Sequence, residues 1–246
     1  MGSEMCIRDR YLSTASMSEK KIQEEKDNLK ELITNISHQT KTPLTNILMY
    51  SELLTEVAAT EQEKEYAGEV FAQGKKLESL IEALVKMSRL ETGIFQYQKK
   101  ETAYREIIHK AVEQALPKAS EKNISILVRD VGRYRSYVDE KWVIEAVYNI
   151  LDNGIKYSGE GTTVYIEEFS YEFFSGIRIT DQGIGISEEE IPLLFGRFYR
   201  GRSAHDKEGI GVGLFLAREI VENNGGYIKV TSQAVSYTHL TLPTNS

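Results

Sequence analysis

The sequence predicts an α+β protein in two parts. A two-helix hairpin, which would complete a four-helix bundle in a dimer, is followed by a mixed sheet with helices on one face. Three observations carry this. Apolar residues recur at spacings of three and four from Leu29 to Leu48 and again from Val70 to Leu90, the period of an amphipathic helix. A polar, aperiodic stretch from Phe95 to Glu101 then breaks the pattern. Beyond it, runs that alternate with period two are interspersed with helical runs, and some are close enough to form hairpins.

Residues 1–16 carry no periodicity and are set aside as a tail. The segment Met5-Cys6-Ile7-Arg8-Asp9-Arg10, and Ser236 to Thr244 within a second tail at 234–246, look like translated sequencing-library read-through. Neither enters the functional reasoning. One helix is expected from Met17 to Val57, its Glu- and Lys-rich first turns forming a solvated face. Thr60-Glu61-Gln62-Glu63 reads as a capping box that starts a second helix, which runs to about Glu91. Gly93 stands where a left-handed residue would end it. Two long helices joined by a few residues make an antiparallel hairpin whose apolar stripes need a second copy to cover them. A homodimer is therefore expected.

The expected organisation is a hairpin at 17–94, a linker at 95–101 and a second domain at 102–233. Its helix near Tyr104 to Leu116 precedes strands at Ile124–Arg129 and Arg135–Val138. Asp139 caps a helix through Tyr157, and Thr163–Phe169 and Phe173–Thr180 read as paired strands. Ser187-Glu188-Glu189-Glu190 caps a short helix. Gly213 to Asn223 forms another, closed by Gly225-Gly226, before a strand at Tyr227–Thr231. Tyr237 to Leu242 could supply one more strand by its alternation.

A net charge of −7 leaves no basic footprint, so a nucleic-acid partner is not expected. Cys6 is the single cysteine, which excludes an internal disulfide and fits a reducing compartment. No apolar run approaches the ~20 residues of a membrane-spanning helix, and the first residues lack the apolar middle of a secretory signal. As given, the chain reads as cytoplasmic.

Four segments carry candidate chemistry. His38 lies two positions past Ile36, off the apolar stripe, where its ring should be reachable. Five residues on, Pro43 takes one N–H from the helix, so the carbonyl of Gln39 loses its usual partner. Asn149 and Asn153, four apart, share a helix face beside Lys156. Amide oxygens suit a hard Mg²⁺ and an ammonium suits phosphate.

Asp181-Gln182-Gly183-Ile184-Gly185 follows a strand. Its glycines let the backbone approach a flat ligand, and its carboxylate can accept from an exocyclic amine. Gly209-Ile210-Gly211-Val212-Gly213-Leu214 runs into a helix, whose N–H groups make an anion site. The polar segment Arg200 to Glu208 precedes it instead of a strand, and no Gly-Lys-Ser/Thr follows. It is therefore neither a dinucleotide fingerprint nor a P-loop. Taken singly, each segment has a bland alternative: a surface histidine, surface asparagines, a glycine-rich turn.

In this order, with Phe195-Gly196-Arg197-Phe198 between the last two, the chain resembles the catalytic core of sensor histidine kinases of two-component systems, over Lys20 to Ser232. His38-Gln39-Thr40-Lys41-Thr42-Pro43-Leu44 is similar to the family's H-box and Asn149–Tyr157 to its N-box. Asp181–Gly185 and Gly209–Gly213 are similar to its two glycine boxes, and Phe195–Phe198 to its F-box.

The resemblance implies an α/β sandwich ATP-binding domain of the gyrase and Hsp90 kind, attached to a dimerising hairpin. It implies ATP and Mg²⁺ as cofactors, with Asn149 and Asn153 on the metal and Asp181 on the adenine amine. Lys156 and Tyr157 would lie at the phosphates. Gly183, Gly185, Arg200, Gly209, Gly211, Gly213 and Leu214 would line the nucleotide, and Ser187–Gly209 would be a lid gripped through Phe195 and Phe198. His38 would be the phosphoacceptor, with Gln39 and Thr42 beside it in its chemistry. The partners implied are a second copy and the receiver domain of a response regulator. A membrane enters only through an N-terminal sensor part that this chain lacks, anchoring the full-length parent.

The chain departs from the family at Gln39, where an acid is usual, and at Gly154, where alanine is usual and glycine loosens the helix by about 1 kcal/mol. It also lacks a closing Gly-x-Gly before the last strand. A pseudokinase, an ATP-binding dimeric scaffold, is the alternative these departures raise. A gyrase-like or Hsp90-like ATPase is disfavoured because those lack the histidine hairpin.

Overall fold

The computed structural model describes residues 2–91, 97–129, 132–171, 174–201, 209–232 and 236–243. They fall into two compact units, Met1–Gln96 and Tyr97–Ser246.

The first unit is a hairpin of α1 (Gly2–Val57) and α2 (Glu61–Glu91). Helix α1 starts at Gly2, well before Met17, so the expected tail has helical backbone. Residues 3–16 contain neither glycine nor proline, and aperiodic polarity alone does not stop a helix. The capping box forms as expected. The Glu63 N–H donates to Thr60 Oγ1 at 3.2 Å, and Glu63 Oε2 accepts from the N–H groups of Ala59 and Thr60 at 2.9 and 3.0 Å. Gly93 lies outside the described residues.

Leu44 and Leu48 of α1 are buried where Gly74 of α2 lets the helices close. A β-carbon there would stand 2.8 Å from Leu48 Cδ2. Ser51 Oγ donates to the Ala67 carbonyl at 2.5 Å nearby. Much of each stripe stays open. Leu32, Ile36 and Ile47 on α1, and Val70, Leu77 and Leu84 on α2, are exposed.

The second unit is a sheet covered by helices. Its strands run β2 (Ser125–Arg129), β4 (Thr163–Ser170), β5 (Phe174–Asp181), β7 (Ser236–Pro243), β6 (Tyr227–Ser232). Only β2 and β4 are parallel. A separate antiparallel pair joins β1 (Lys100–Ala103) to β3 (Arg135–Val138). Helices α3 (Tyr104–Glu121), α4 (Glu140–Tyr157) and α5 (Gly213–Asn223) lie side by side with α4 in the middle. Val164, Ile166, Ile177, Ile179, Leu240 and Leu242 from the sheet, with Ile108, Val147, Leu151 and Ile220 from the helices, form the core.

Asp139 caps α4 as expected, accepting the Trp142 N–H at 3.3 Å. Helix α5 ends as expected too. Gly225, at φ +88°, donates to the Glu222 carbonyl and Gly226 to that of Val221, both at 2.9 Å, a Schellman closure.

Four expectations are corrected. The linker gives way to β1 at Lys100, because Lys100 to Ala103 pair with β3 and bury Thr102. Helix α3 passes Leu116 and Pro117 to reach Glu121, since burying Ala115 and Ala119 outweighs one lost hydrogen bond near its end. After Ser187 there is only a 3₁₀ turn, Ile191–Leu193, and the Ser187 hydroxyl donates to the Glu190 carboxylate, not to a helix backbone group. Residues 236–243, set aside as a tail, instead realise the strand that the alternation of Tyr237 to Leu242 offered: they form β7 between β5 and β6, with Leu240 and Leu242 buried.

Candidate functional site

Helix α4 holds one side of the site. Asn149 and Asn153 are both half-buried, one turn apart. The Asn149 amide Nδ2 donates to the Glu145 carbonyl at 2.9 Å, which leaves Oδ1 turned towards the start of α5. There a β-carbon on Gly213 would stand 3.1 Å from that oxygen, so α5 begins against Asn149. A turn further along, Lys156 lies with its Nζ 4.8 Å from the Tyr157 ring centre. Gly209, at φ +133°, packs directly against the Lys156 ammonium. The second glycine segment and α4 thus come together at Asn149 and at Lys156.

Asp181 at the end of β5 is buried and accepts the Gly183 N–H at 2.9 Å. Two glycines crowd it. A β-carbon on Gly154 would stand 3.3 Å from Asp181 Cβ, and one on Gly183 would stand 2.7 Å from Asp181 Oδ1 and 3.1 Å from the Tyr157 carbonyl oxygen. Gly154 in the last turn of α4 is therefore a close-packing residue as well as a weak helix former. Gly185 turns at φ +74°, and Ser158 bridges to Gly183, joining α4's end to the loop. Burial pushes the Tyr157 phenol above its ordinary value; Arg200's charge acts against this and Asp152's with it.

The Phe195–Phe198 segment is held to α5 by cation–ring contacts. Arg218 lies 5.7 Å over Phe195, and Arg197 lies 5.0 Å over Phe215. Phe198, expected as a grip, is exposed and sits at φ +60°. Gly211, at φ +76°, lies against the backbone of Phe198 and Tyr199, which brings this segment to the second glycine box. Leu214 is half-buried in the first turn of α5. Residues 202–208 of the expected lid lie outside the described residues.

The first unit carries His38, Gln39 and Thr42. All three lie on α1, which continues through Pro43, and Gln39 and Thr42 are exposed. The His38 side chain is outside the described residues. Sequence reasoning did not find Arg197, Phe215 and Arg218, whose roles depend on rings that meet only in the fold.

Two domain families match the chain. Residues 28–93 match the His Kinase A (phospho-acceptor) domain, and residues 138–246 match the Histidine kinase-, DNA gyrase B-, and HSP90-like ATPase domain. The chain belongs to the sensor histidine kinases, and its second unit carries their ATP-binding domain.

Among named relatives, the signal transduction histidine-protein kinase/phosphatase MprB of a Mycobacterium species is 30% identical, over 90% of this chain and 44% of its own length. The autoinducer 2 sensor kinase/phosphatase LuxQ of Vibrio cholerae is 27% identical, over 82% of this chain and 24% of its own. The chain thus spans between a quarter and about half of these two relatives. The solved mycobacterial sensor histidine kinase MprB is 29% identical and superposes with a TM-score of 0.55 over 59% of this chain and 98% of that one. Among the described residues, no helix is long and apolar enough to cross a membrane.

Proposed function

We propose that this chain is a kinase core that phosphorylates itself on His38 from ATP and passes the phosphoryl group to an aspartate on a response-regulator receiver domain. One observation carries the reading: α5 begins against Asn149 while Gly209 lies against Lys156, which gathers a helix N-terminus, an amide and an ammonium as a triphosphate needs. Adenine sits at Asp181, whose carboxylate accepts from its amine, and Gly154 and Gly183 let the end of α4 and the loop close around that carboxylate. Lys156, the N–H groups of residues 209–214, and Arg200 face the phosphates. Asn149 and Asn153 offer hard amide oxygens that fit Mg²⁺, which when bound neutralises phosphate charge.

The lone-pair nitrogen of a neutral His38 imidazole attacks the γ-phosphorus, the bond to the ADP oxygen breaks, and the ring's other nitrogen then loses its proton to solvent. Gln39 accepts from the ring's other N–H and orients it. Thr42 places the water that later hydrolyses the regulator's phosphoaspartate, giving a phosphatase activity.

The uncovered residues Ile36, Ile47, Val70 and Leu77 support a homodimer through the hairpin. The functional parts are then the hairpin at 17–94, the segment at 95–101 and the ATP-binding domain from 102 onward, all working in the cytoplasm. A longer parent supplies the sensor and its membrane anchor. Incubation with γ-labelled ATP and Mg²⁺ tests the proposal. Label that is lost in acid, retained in alkali and absent from His38→Gln is expected. Failure of the unmodified chain to label under these conditions overturns the reading.

A further inference from the structure

We infer that Lys122 is a positioning residue for the nucleotide base. It acts by clamping the last turn of α4, and the inference rests on the nucleotide reading given above. Helix α4 ends without a left-handed glycine. Its C-cap, Ser158, turns straight into extended backbone at φ −74°, ψ 154°. Such an end leaves carbonyls without intrahelical partners. Lys122, in the turn after α3, reaches across and fills them. Its Nζ donates to the carbonyl oxygens of Ile155 at 2.8 Å, Lys156 at 3.0 Å and Ser158 at 2.8 Å. An ammonium has three N–H groups, and here each has a carbonyl. Its charge also lies at the negative end of the helix dipole.

The three carbonyls flank that of Tyr157, which the clamp skips. That carbonyl is the one against which Gly183 packs, and the same Gly183 donates its N–H to Asp181. Ser158 closes the arrangement through its bridge to Gly183. Lys122 therefore sets the depth at which the end of α4 meets the Asp181 loop. Its own ammonium is already engaged with protein backbone, and its part is to hold the wall of the base pocket. Of the groups proposed to face the phosphates only Lys156 shares the clamped turn; Asn149 lies more than a helical turn earlier on α4, and Gly213 starts α5.

That division gives the test, made on the full chain. Affinities of ADP, adenosine and tripolyphosphate are measured by calorimetry or NMR titration, alongside thermal unfolding. Charge-assisted hydrogen bonds are individually substantial, so Lys122→Met should weaken ADP and adenosine by about tenfold each. Tripolyphosphate, which engages the clamped turn only through Lys156, should weaken by no more than about twofold. In turnover, the effect should fall on the KM for ATP and spare kcat. Lys122→Arg keeps the charge but presents a planar fork, which cannot match three carbonyls around one nitrogen. It should show a smaller loss with the same base-selective pattern, and it serves if Lys122→Met does not fold.

A lower unfolding temperature with unaltered adenosine and ADP affinity would make Lys122 only a helix cap and overturn the inference. Equal losses for all three ligands would overturn it as well. Asp181→Asn, titrated in parallel, separates the two readings: if it too leaves adenosine affinity unchanged, the base site itself is misplaced. If it alone weakens adenosine, the base site stands and the role of Lys122 fails.

Discussion

Gly154 on α4 faces Asp181 on β5 so closely that a β-carbon would stand 3.3 Å from Asp181 Cβ and 3.7 Å from Val164 Cγ1. Alanine there gains about 1 kcal/mol of helix propensity but requires its neighbours to yield by a few tenths of an ångström. Gly154→Ala should therefore fold with nearly unaltered stability and bind ATP. Gly154→Val adds methyls where there is no room, and overpacking of this kind costs about 1–3 kcal/mol. Its ATP affinity should fall by about tenfold or more. Equal affinities for the two variants in calorimetry would show that Asp181 is not sensitive to this contact.

Asp181→Asn tests the base site directly. The side chain keeps its size and can still accept the Gly183 N–H, but it loses the charge that strengthens an accepted hydrogen bond. ATP affinity should fall by about tenfold or more, with the circular dichroism spectrum and the oligomeric state intact. Undiminished affinity would remove adenine from this position.

Asn153→Ala removes one of two amide oxygens on the α4 face. Autophosphorylation should be lost at low Mg²⁺ and recover in part as Mg²⁺ is raised. Labelling at the unmodified chain's rate throughout a Mg²⁺ titration would mean that the metal is held elsewhere.

In the proposed mechanism Gln39 and Thr42 divide two steps between them. Gln39 can accept from an imidazole N–H but cannot take up a proton at neutral pH. Gln39→Glu should therefore speed autophosphorylation by about tenfold, roughly 1.4 kcal/mol of barrier. A positioned base can give more elsewhere, about 10²–10⁴-fold, but phosphoryl transfer leans less on proton removal. Thr42, one turn from His38, should be dispensable for labelling and needed for phosphatase action. Single-turnover labelling from about pH 6 to 9, a range that brackets the ordinary histidine value, checks the first claim. Decay of a phosphorylated cognate regulator checks the second. A slower Gln39→Glu, or an unlabelled Thr42→Ala, would reverse the assignments.

Much of this was legible in the residues. The capping box at Thr60, the cap at Asp139 and the glycine closure after Asn223 are local, and each forms as its sequence dictates. So did the asparagine face of α4 and the glycines before α5, because spacing within one element survives folding. Signals that depend on partners did not read. The helix expected to end near Leu116 runs on because Ala119 is buried, and nothing local marks Lys122, whose three carbonyl partners come from α4 and its cap. Phe198 matched a motif, yet its ring is exposed. Gly154 read as a weakness in a helix because the sequence names the residue but not what stands opposite.

The strand order β5-β7-β6 has a temporal consequence. Strand β6 is bonded to β7, and β7 to β5, so the piece that follows β6 in the chain must slot in before β6 can join the sheet. Until Ser236 to Pro243 are in place, β5 presents a bare edge and α5 lies over an incomplete floor. The glycine segment at the front of α5 is then no better anchored than the floor beneath it. A nascent chain would thus acquire its asparagine face early and the amides at the front of α5 late. The site proposed for nucleotide would be complete only after a contact between segments some sixty residues apart had closed, the slow kind of contact in folding.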